Sequence, residues 1–225
     1  MINHPFPLLR PYEKNLSICL FNKEDRLIND QSVAQSLGSH DYAALQQMHG
    51  NRTVIVRKRM ERTEKADGLI TDQPNLVLTI RIADCQPLII YAPEANIVGL
   101  LHIGWKSLVC GAIPKFFEAL IANHKSPIAN CLVGIGPCLC TRCAEFSNPL
   151  SELPGIPPDL VNDKYADLRT WADRQLITAG VPKNHIERIE DCTRCHPEKY
   201  WTYRGGDREA VKSGKTNVMA CVLKK

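Results

Sequence analysis

The sequence contains no apolar run long enough to cross a bilayer. Its longest, Ile97 to Trp105, is interrupted by His102 and covers about half a membrane span. Met1 to Arg10 (MINHPFPLLR) has two prolines and no apolar stretch of signal-peptide length. Internal repeats and low-complexity tracts are missing, which excludes solenoid and linker architectures. No Walker, Rossmann or kinase pattern appears. Gly134-Ile135-Gly136-Pro137 lacks a third glycine and ends in proline, so it opens no phosphate-cradling helix. A dominant charge sign is absent too: 28 Lys+Arg against 24 Asp+Glu leave +4, too mild for a nucleic-acid or membrane-surface binder. The short basic run Arg57-Lys58-Arg59…Arg62 is interleaved with Glu61 and Glu64 and reads as a solvated edge or turn. Hydrophobic residues at 44% and charged residues at 23% are ordinary for a globular protein and exclude a disordered one.

Cysteine, by contrast, is abundant: ten residues, beside seven histidines. Disulfide scaffolds are short secreted chains that cannot build a core. A chain of 225 residues buries roughly 70% of its unfolded surface and needs no crosslinks. A reducing, cytoplasmic setting is therefore expected, in which cysteines act as buried hydrophobes, metal ligands or nucleophiles.

Apolar patterning predicts strands at Leu16–Phe21, Thr53–Arg57, Leu76–Ile82, Pro87–Tyr91, Asn96–Leu101 and Cys131–Ile135. Three more are predicted at Ile186–Ile189, Tyr200–Tyr203 and Asn217–Leu223. The turn at Pro93–Asn96 makes a hairpin of the two strands it joins. Helices are predicted over Leu27–Leu37, Trp105–Asn123 and Asp163–Ala179, with a proline-rich loop at Ser147–Pro158. Strands dominate and helices intervene without strict alternation, which favours α+β with a mixed sheet over a doubly wound parallel one. No linker divides the chain, so one domain is expected over residues 1–225.

Three soft ligands fall at predicted strand ends: His49 in QMHG, Cys85 in IADCQP and His102 in LHIGW. Strand ends hold side chains rigidly at a sheet rim, and two imidazoles with one thiolate form a zinc set with the fourth position open. Ligand types alone leave the alternative standing: a core cysteine, and a histidine satisfied in a turn.

Context adds to the residues. Gln47-Met48-His49-Gly50, Ala66-Asp67-Gly68-Leu69-Ile70-Thr71, Ala83-Asp84-Cys85-Gln86-Pro87 and His102-Ile103-Gly104-Trp105, in that order, resemble the laccase-domain family. Its members are also described as multicopper polyphenol oxidases and as purine nucleoside phosphorylases. The resemblance continues through Ile135-Gly136-Pro137, Gln175-Leu176…Ala179-Gly180-Val181 and Cys192-Thr193…Thr202-Tyr203-Arg204, covering about residues 45 to 222. It implies zinc on His49, Cys85 and His102, a four-layer α/β/β/α arrangement and a cytoplasmic monomer. It also implies phosphorolysis of adenosine, inosine, guanosine and methylthioadenosine, with deamination of adenosine; purine nucleoside and phosphate would be the partners. Asp84, beside the cysteine, is a candidate proton carrier or a buried turn cap. Gln47 belongs to the first matching segment and is a candidate substrate contact. Arg81 and Arg204 are candidate phosphate contacts or ordinary sheet and surface residues.

This chain also departs from that pattern. Residues 1–44 read as a shortened, atypical N-terminal part without the family's Gly-Gly-x-Ser turn. Lys106 replaces an arginine after the H-x-GW block, keeping charge but losing the planar fork. The family's C-terminal Gly-Arg dipeptide is replaced here by Thr216-Asn217, again losing a cation. Metal ligands survive while three anion supports weaken.

Cys140-Thr141-Arg142-Cys143 and Cys192-Thr193-Arg194-Cys195 are two C-x-x-C pairs with identical inner residues. Each spacing lets two thiolates face one ion, and two such knuckles complete a four-thiolate structural zinc shell if the fold joins them. Redox dithiols and unrelated surface cysteines are the alternatives. Cys19, Cys110, Cys131, Cys138 and Cys221 read as ordinary buried thiols. Two rival activities stand beside the zinc enzyme: a cysteine hydrolase using Cys85 and His102, and a single-copper polyphenol oxidase. A multicopper set would need more clustered histidines than His4, His40, His124, His185 and His196 offer. A catalytically eroded zinc protein is the third alternative.

Overall fold

Seven residues without an exposed member, Gln86–Ala92, pair with seven more, Ile97–Ile103, in the central hairpin of the computed structural model, which describes residues 1–25, 29–124 and 127–225. Numbered along the chain, the strands begin with β1 (Ile2–Asn3), β2 (Leu16–Phe21), β3 (Tyr42–Ala44), β4 (Thr53–Ile55) and β5 (Gly68–Thr71). They continue with β6 (Val77–Ile82), β7 (Gln86–Ala92), β8 (Ile97–Ile103) and β9 (Leu132–Ile135). The last four are β10 (Val161–Asn162), β11 (Tyr165–Ala166), β12 (Ile186–Arg188) and β13 (Asn217–Leu223). The helices are α1 (Asp30–Ser36), α2 (Trp105–Val109), α3 (Ala112–His124), α4 (Pro149–Glu152), α5 (Leu168–Thr178) and α6 (Arg208–Lys212).

Two mixed sheets form, with strand orders β1-β2-β13-β6-β3 and β12-β9-β7-β8-β5-β4; β10 and β11 make a separate hairpin. Side-chain alternation gives each sheet two apolar faces. Leu16, Ile18, Leu78, Ile80 and Met219 of the first sheet meet Leu69, Ile89, Val98 and Leu100 of the second in one core. The second sheet's other face, with Leu88, Ile90, Leu101 and Ile103, packs on Ile113, Phe116, Phe117, Trp171 and Leu176 from α3 and α5. The first sheet's other face, with Cys19, Phe21, Val77 and Val218, packs on Val33 and Ala34 of α1. The order helix, sheet, sheet, helix is the expected α/β/β/α arrangement. Each fully buried Leu, Ile or Phe contributes about 1.5–3 kcal/mol, so these three interfaces hold the layers together.

Several local expectations change. The helix predicted over Trp105–Asn123 is two helices: Gly111 takes φ +71° and breaks the run between α2 and α3. The helix predicted from Asp163 starts only at Leu168, where the Asp167 carboxylate caps the Thr170 amide, and residues 161–166 form the small hairpin. Pro149–Glu152 is a helical turn inside the predicted loop. Tyr200–Tyr203 is no strand, because its Thr202 is drawn onto Asp84. Of the helix predicted over Leu27–Leu37, Asp30–Ser36 is helical, while Leu27 and Ile28 lie outside the described residues.

Candidate metal centre and cavity

Strand register explains how distant residues converge. Gln86 opposes Ile103 and Gly68 opposes Leu101, so Cys85, His102 and Asp67 share one end of the second sheet. The His102 amide donates to the Asp67 carbonyl at 2.9 Å, extending that ladder by one step. His49 arrives from the loop before β4 in the left-handed region, at φ +58°. The Asp67 carboxylate fixes that loop by accepting from the amides of His49 at 2.9 Å, Gly50 at 2.7 Å and Met48 at 3.2 Å.

One ligand atom from each of His49, Cys85 and His102 lies within 4.8 Å of the others. His102 Nδ1 stands 2.9 Å from Asp67 Oδ1, which assigns the Nδ1 proton to that contact and leaves Nε2 as the ligating nitrogen. Gly104 is sterically required here: a Cβ at that position would stand 2.7 Å from the His49 ring and 3.2 Å from Cys85 Sγ. Burial alone would raise the Cys85 thiol, but the His102 and His49 rings outweigh it and lower it to about 6. Burial would likewise lower His102, yet Cys85 and Asp67 raise it to about 9. Asp67 stays below the ordinary carboxylate range: burial pushes it up, and the His102 ring and the Gly50 and His49 amides more than offset this. The donor set, two imidazoles and an easily ionised thiol with a carboxylate behind one ring, suits a divalent transition metal with one position open.

These ligands line a cavity of about 610 Å³. Its walls include Leu45, Leu139, Leu168, Trp105 and Tyr203, with Arg62, Arg81 and Arg204 as its cations. The Asp30 carboxylate is shared between Arg62 (2.8 Å) and Arg81 (3.2 Å), which leaves one positive charge of the three groups unneutralised. Burial opposes ionisation of Asp30, but the two guanidiniums hold its carboxyl below the usual range. Arg81 also donates to the Gly214 carbonyl at 3.0 Å. Arg204 donates to the Glu145 carbonyl at 2.6 Å and lies over the Phe146 ring at 5.0 Å.

Two of the sequence candidates, Gln47 and Lys106, are placed differently from their expected roles, and Asp84 takes the second of its two. Gln47 reaches the cavity wall, but its amide is spent clamping the Arg81 backbone, donating to O at 2.7 Å and accepting from N at 2.8 Å. The Asp84 carboxylate, at φ +88°, accepts from Thr193 Oγ1 at 2.7 Å, Thr202 Oγ1 at 2.6 Å and the Arg204 amide at 2.7 Å. That geometry is the buried turn cap, with three donors on its two oxygens. Lys106 is exposed with its ammonium 5.4 Å from the Trp105 ring centroid, and it is not among the residues lining the cavity. Successive helix residues point about 100° apart, so Trp105 takes the wall and Lys106 faces away. Sequence reading missed Asp67 and Arg62 as site residues. Asp67 lies in the Ala66–Thr71 match, where its carboxylate carried no role; Arg62 was hidden in a basic run that looked solvated.

The two C-x-x-C pairs do meet: the four sulfurs of Cys140, Cys143, Cys192 and Cys195 lie within 4.8 Å of one another. Among the described residues, this and the His49–Cys85–His102 group are the two clusters with metal-ligand character. Cys19, Cys131, Cys138 and Cys221 are buried as expected, whereas Cys110 is exposed.

Comparison with known proteins places the chain in a family. The family model described as "Multi-copper polyphenol oxidoreductase laccase" matches residues 13–223. A purine nucleoside phosphorylase of Rickettsia prowazekii is 26% identical over 226 residues, covering 96% of this chain and 90% of that protein. An adenosine deaminase from an unknown prokaryotic organism is 25% identical, covering 82% and 77%. The crystal structure of the hypothetical protein YfiH of Bacillus licheniformis superposes with a TM-score of 0.74 at 28% identity, covering 87% of this chain and 79% of that one. No helix among the described residues is long and apolar enough to cross a membrane.

Proposed function

Since the chain belongs to the multi-copper polyphenol oxidoreductase laccase family, we propose that it is a zinc-dependent purine nucleoside enzyme. It splits nucleosides with phosphate to free base and ribose 1-phosphate, and deaminates adenosine. The observation carrying this reading is the convergence of His49, Cys85 and His102 on the wall of a cavity that also presents an unneutralised guanidinium charge. Relatives named for both reactions support it.

His49, Cys85 and His102 would hold the ion, and zinc so held supplies Lewis-acid polarisation and a lowered pKa for water. The remaining work falls to the chain. Asp67 fixes the His102 ring, its tautomer and the His49 loop, so the ligand triangle is set before any ligand binds. Trp105 and Tyr203 offer flat faces for a purine ring. Arg62, Arg81 and Arg204 give the excess positive charge that an entering phosphate needs beneath an oxocarbenium-like ribose. Asp84 acts as a positioning residue, holding Arg204 through its amide.

One observation favours a second reading. Cys85, His102 and Asp67 stand in the order of a nucleophile, base and orienting acid, with the thiol lowered by its imidazole neighbour. A hydrolase triad has no use for His49, however, and the tightest contact that keeps residue 104 a glycine is with that second ring, at 2.7 Å. Turnover of inosine and adenosine by the purified chain, with and without phosphate and with a parallel metal count, decides between them. Phosphate-dependent release of free base by protein holding zinc at Cys85 is expected; full activity of metal-free protein would sink the zinc assignment.

A further inference from the structure

We propose that Cys140, Cys143, Cys192 and Cys195 bind a second zinc ion, and that this ion positions the Arg204 segment against the cavity. A zinc–thiolate bond of about 2.3 Å places the sulfurs of a tetrahedral shell about 3.8 Å apart. The Sγ separations are 3.6 Å for Cys143–Cys195 and 3.9 Å for Cys140–Cys195, which bracket that edge. A disulfide needs about 2.05 Å, and all four cysteines are free.

The backbone is folded for the same purpose. Cys143 and Ala144 amides both donate to the Cys140 carbonyl, closing one knuckle, and the His196 amide donates to the Cys192 carbonyl, closing the other. A bridge between Cys138 and Cys192 and a bond from the Thr193 amide to the Cys138 carbonyl lock the knuckles together. The Cys140 amide donates to Cys192 Sγ at 3.2 Å, a contact that favours thiolate. Arg169 ties both strands of the assembly by donating to the carbonyls of Cys138, Leu139, Glu190 and Asp191. Four thiolates at this spacing repel unless a divalent cation stands between them, and a shell of four leaves no position for substrate.

The coupling to the cavity runs through Asp84. Its carboxylate takes the hydroxyl of Thr193, the residue after Cys192, together with the Thr202 hydroxyl and the Arg204 amide. Its carbonyl takes the amide of Leu139, the residue before Cys140. The next residue along the chain is Cys85. The effect on phosphate use rests on the proposed phosphorolysis; the ion and the ordering of the loop do not.

The test uses the full-length chain as purified. Metal analysis should give two zinc equivalents in wild type and one in each of Cys85→Ala and Cys195→Ser. Cobalt substitution of Cys85→Ala should retain the intense charge-transfer absorption of a four-thiolate site, which reads the second ion even if Cys195→Ser folds poorly. Hydrogen exchange at Arg204 and Gly205 should accelerate about 10-fold or more in Cys195→Ser, with β7 and β8 unchanged. The phosphate KM should rise about 10-fold in that variant with kcat within about 2-fold. One zinc in wild type, or a cobalt spectrum without the thiolate band, overturns the second ion. Unchanged exchange at Arg204 overturns its positioning role. Failure of wild type to turn over nucleosides overturns the proposed function alone.

Discussion

The two ligand clusters are built on opposite principles. His49, Cys85 and His102 come from the rim of a sheet whose strands are fixed by two cores, and their partner Asp67 opposes His102 in the ladder. Cys140, Cys143, Cys192 and Cys195 come from loop knuckles at the margin of the helix-side core, where Cys143 and Cys192 are buried and Cys195 is exposed. In the first, the protein pre-orders the site and leaves one coordination position open. In the second, on the proposal above, four ligands would close the shell and the ion would do the ordering. On that reading cysteine serves chemistry at the sheet rim and architecture in the loops.

Replacing the rim thiol separates the two principles most sharply. Cys85→Ala should cut nucleoside turnover by about 10³-fold or more while Tm changes little, because the sheets do not depend on that ion. Turnover and a thermal melt measured on one preparation check both halves. A large Tm loss would mean that the rim, too, is ordered by metal.

The carboxylate behind the ring tests whether pre-ordering matters. Asp67→Asn keeps the shape but removes the charge that fixes the His102 tautomer and weakens the hold on the His49 loop. Metal retention against a chelator series should fall about 10–100-fold, as for other groups behind metal-bound histidines. Retention equal to wild type would show that Asp67 serves only the loop.

The loop cluster should answer in stability. Cys143→Ser removes a buried ligand, and a loss of about 2–3 kcal/mol lowers Tm by roughly 5–10 °C in a chain of this size. The rim metal should stay, so the count falls by one. An unchanged melt would refute the view that the knuckles lean on an ion.

How much of this was legible follows from the same contrast. β2 and β13 have the bounds that apolar patterning predicts, because a strand buried on both faces announces itself by β-branched and aliphatic runs. The short β3 and β5 escape, since three or four residues carry too little periodicity, and β5 pairs through Gly68. Ligand types were visible at His49, Cys85 and His102, but their convergence depends on register. Roles that depend on direction were not visible at all. Arg62 looked solvated until Asp30 was brought 2.8 Å away, and Lys106 looked like an anion contact until α2 turned it outward. Asp84 and Gln47 could be ranked as site residues from sequence, yet only the structure reveals that their polar atoms are committed to backbone and hydroxyl partners.

The smallest effect concerns the thiols outside both clusters, and it asks whether the division of ten cysteines is real. Cys110 is exposed and belongs to neither cluster, so it should be the first thiol alkylated in the native, metal-loaded chain, although burial raises its thiol and slows the reaction. Cys19, Cys131, Cys138 and Cys221 are buried and should resist until unfolding. Cys195 is as exposed as Cys110, yet a metal-bound thiolate is protected, so it should react only after chelation. Peptide mapping after brief iodoacetamide treatment, before and after chelator, reads this order directly. Cys110→Ser should abolish the first label without measurable change in metal count, turnover or Tm. Labelling of Cys195 in the untreated protein, at a rate equal to that of Cys110, would remove the distinction between a knuckle ligand and a surface thiol.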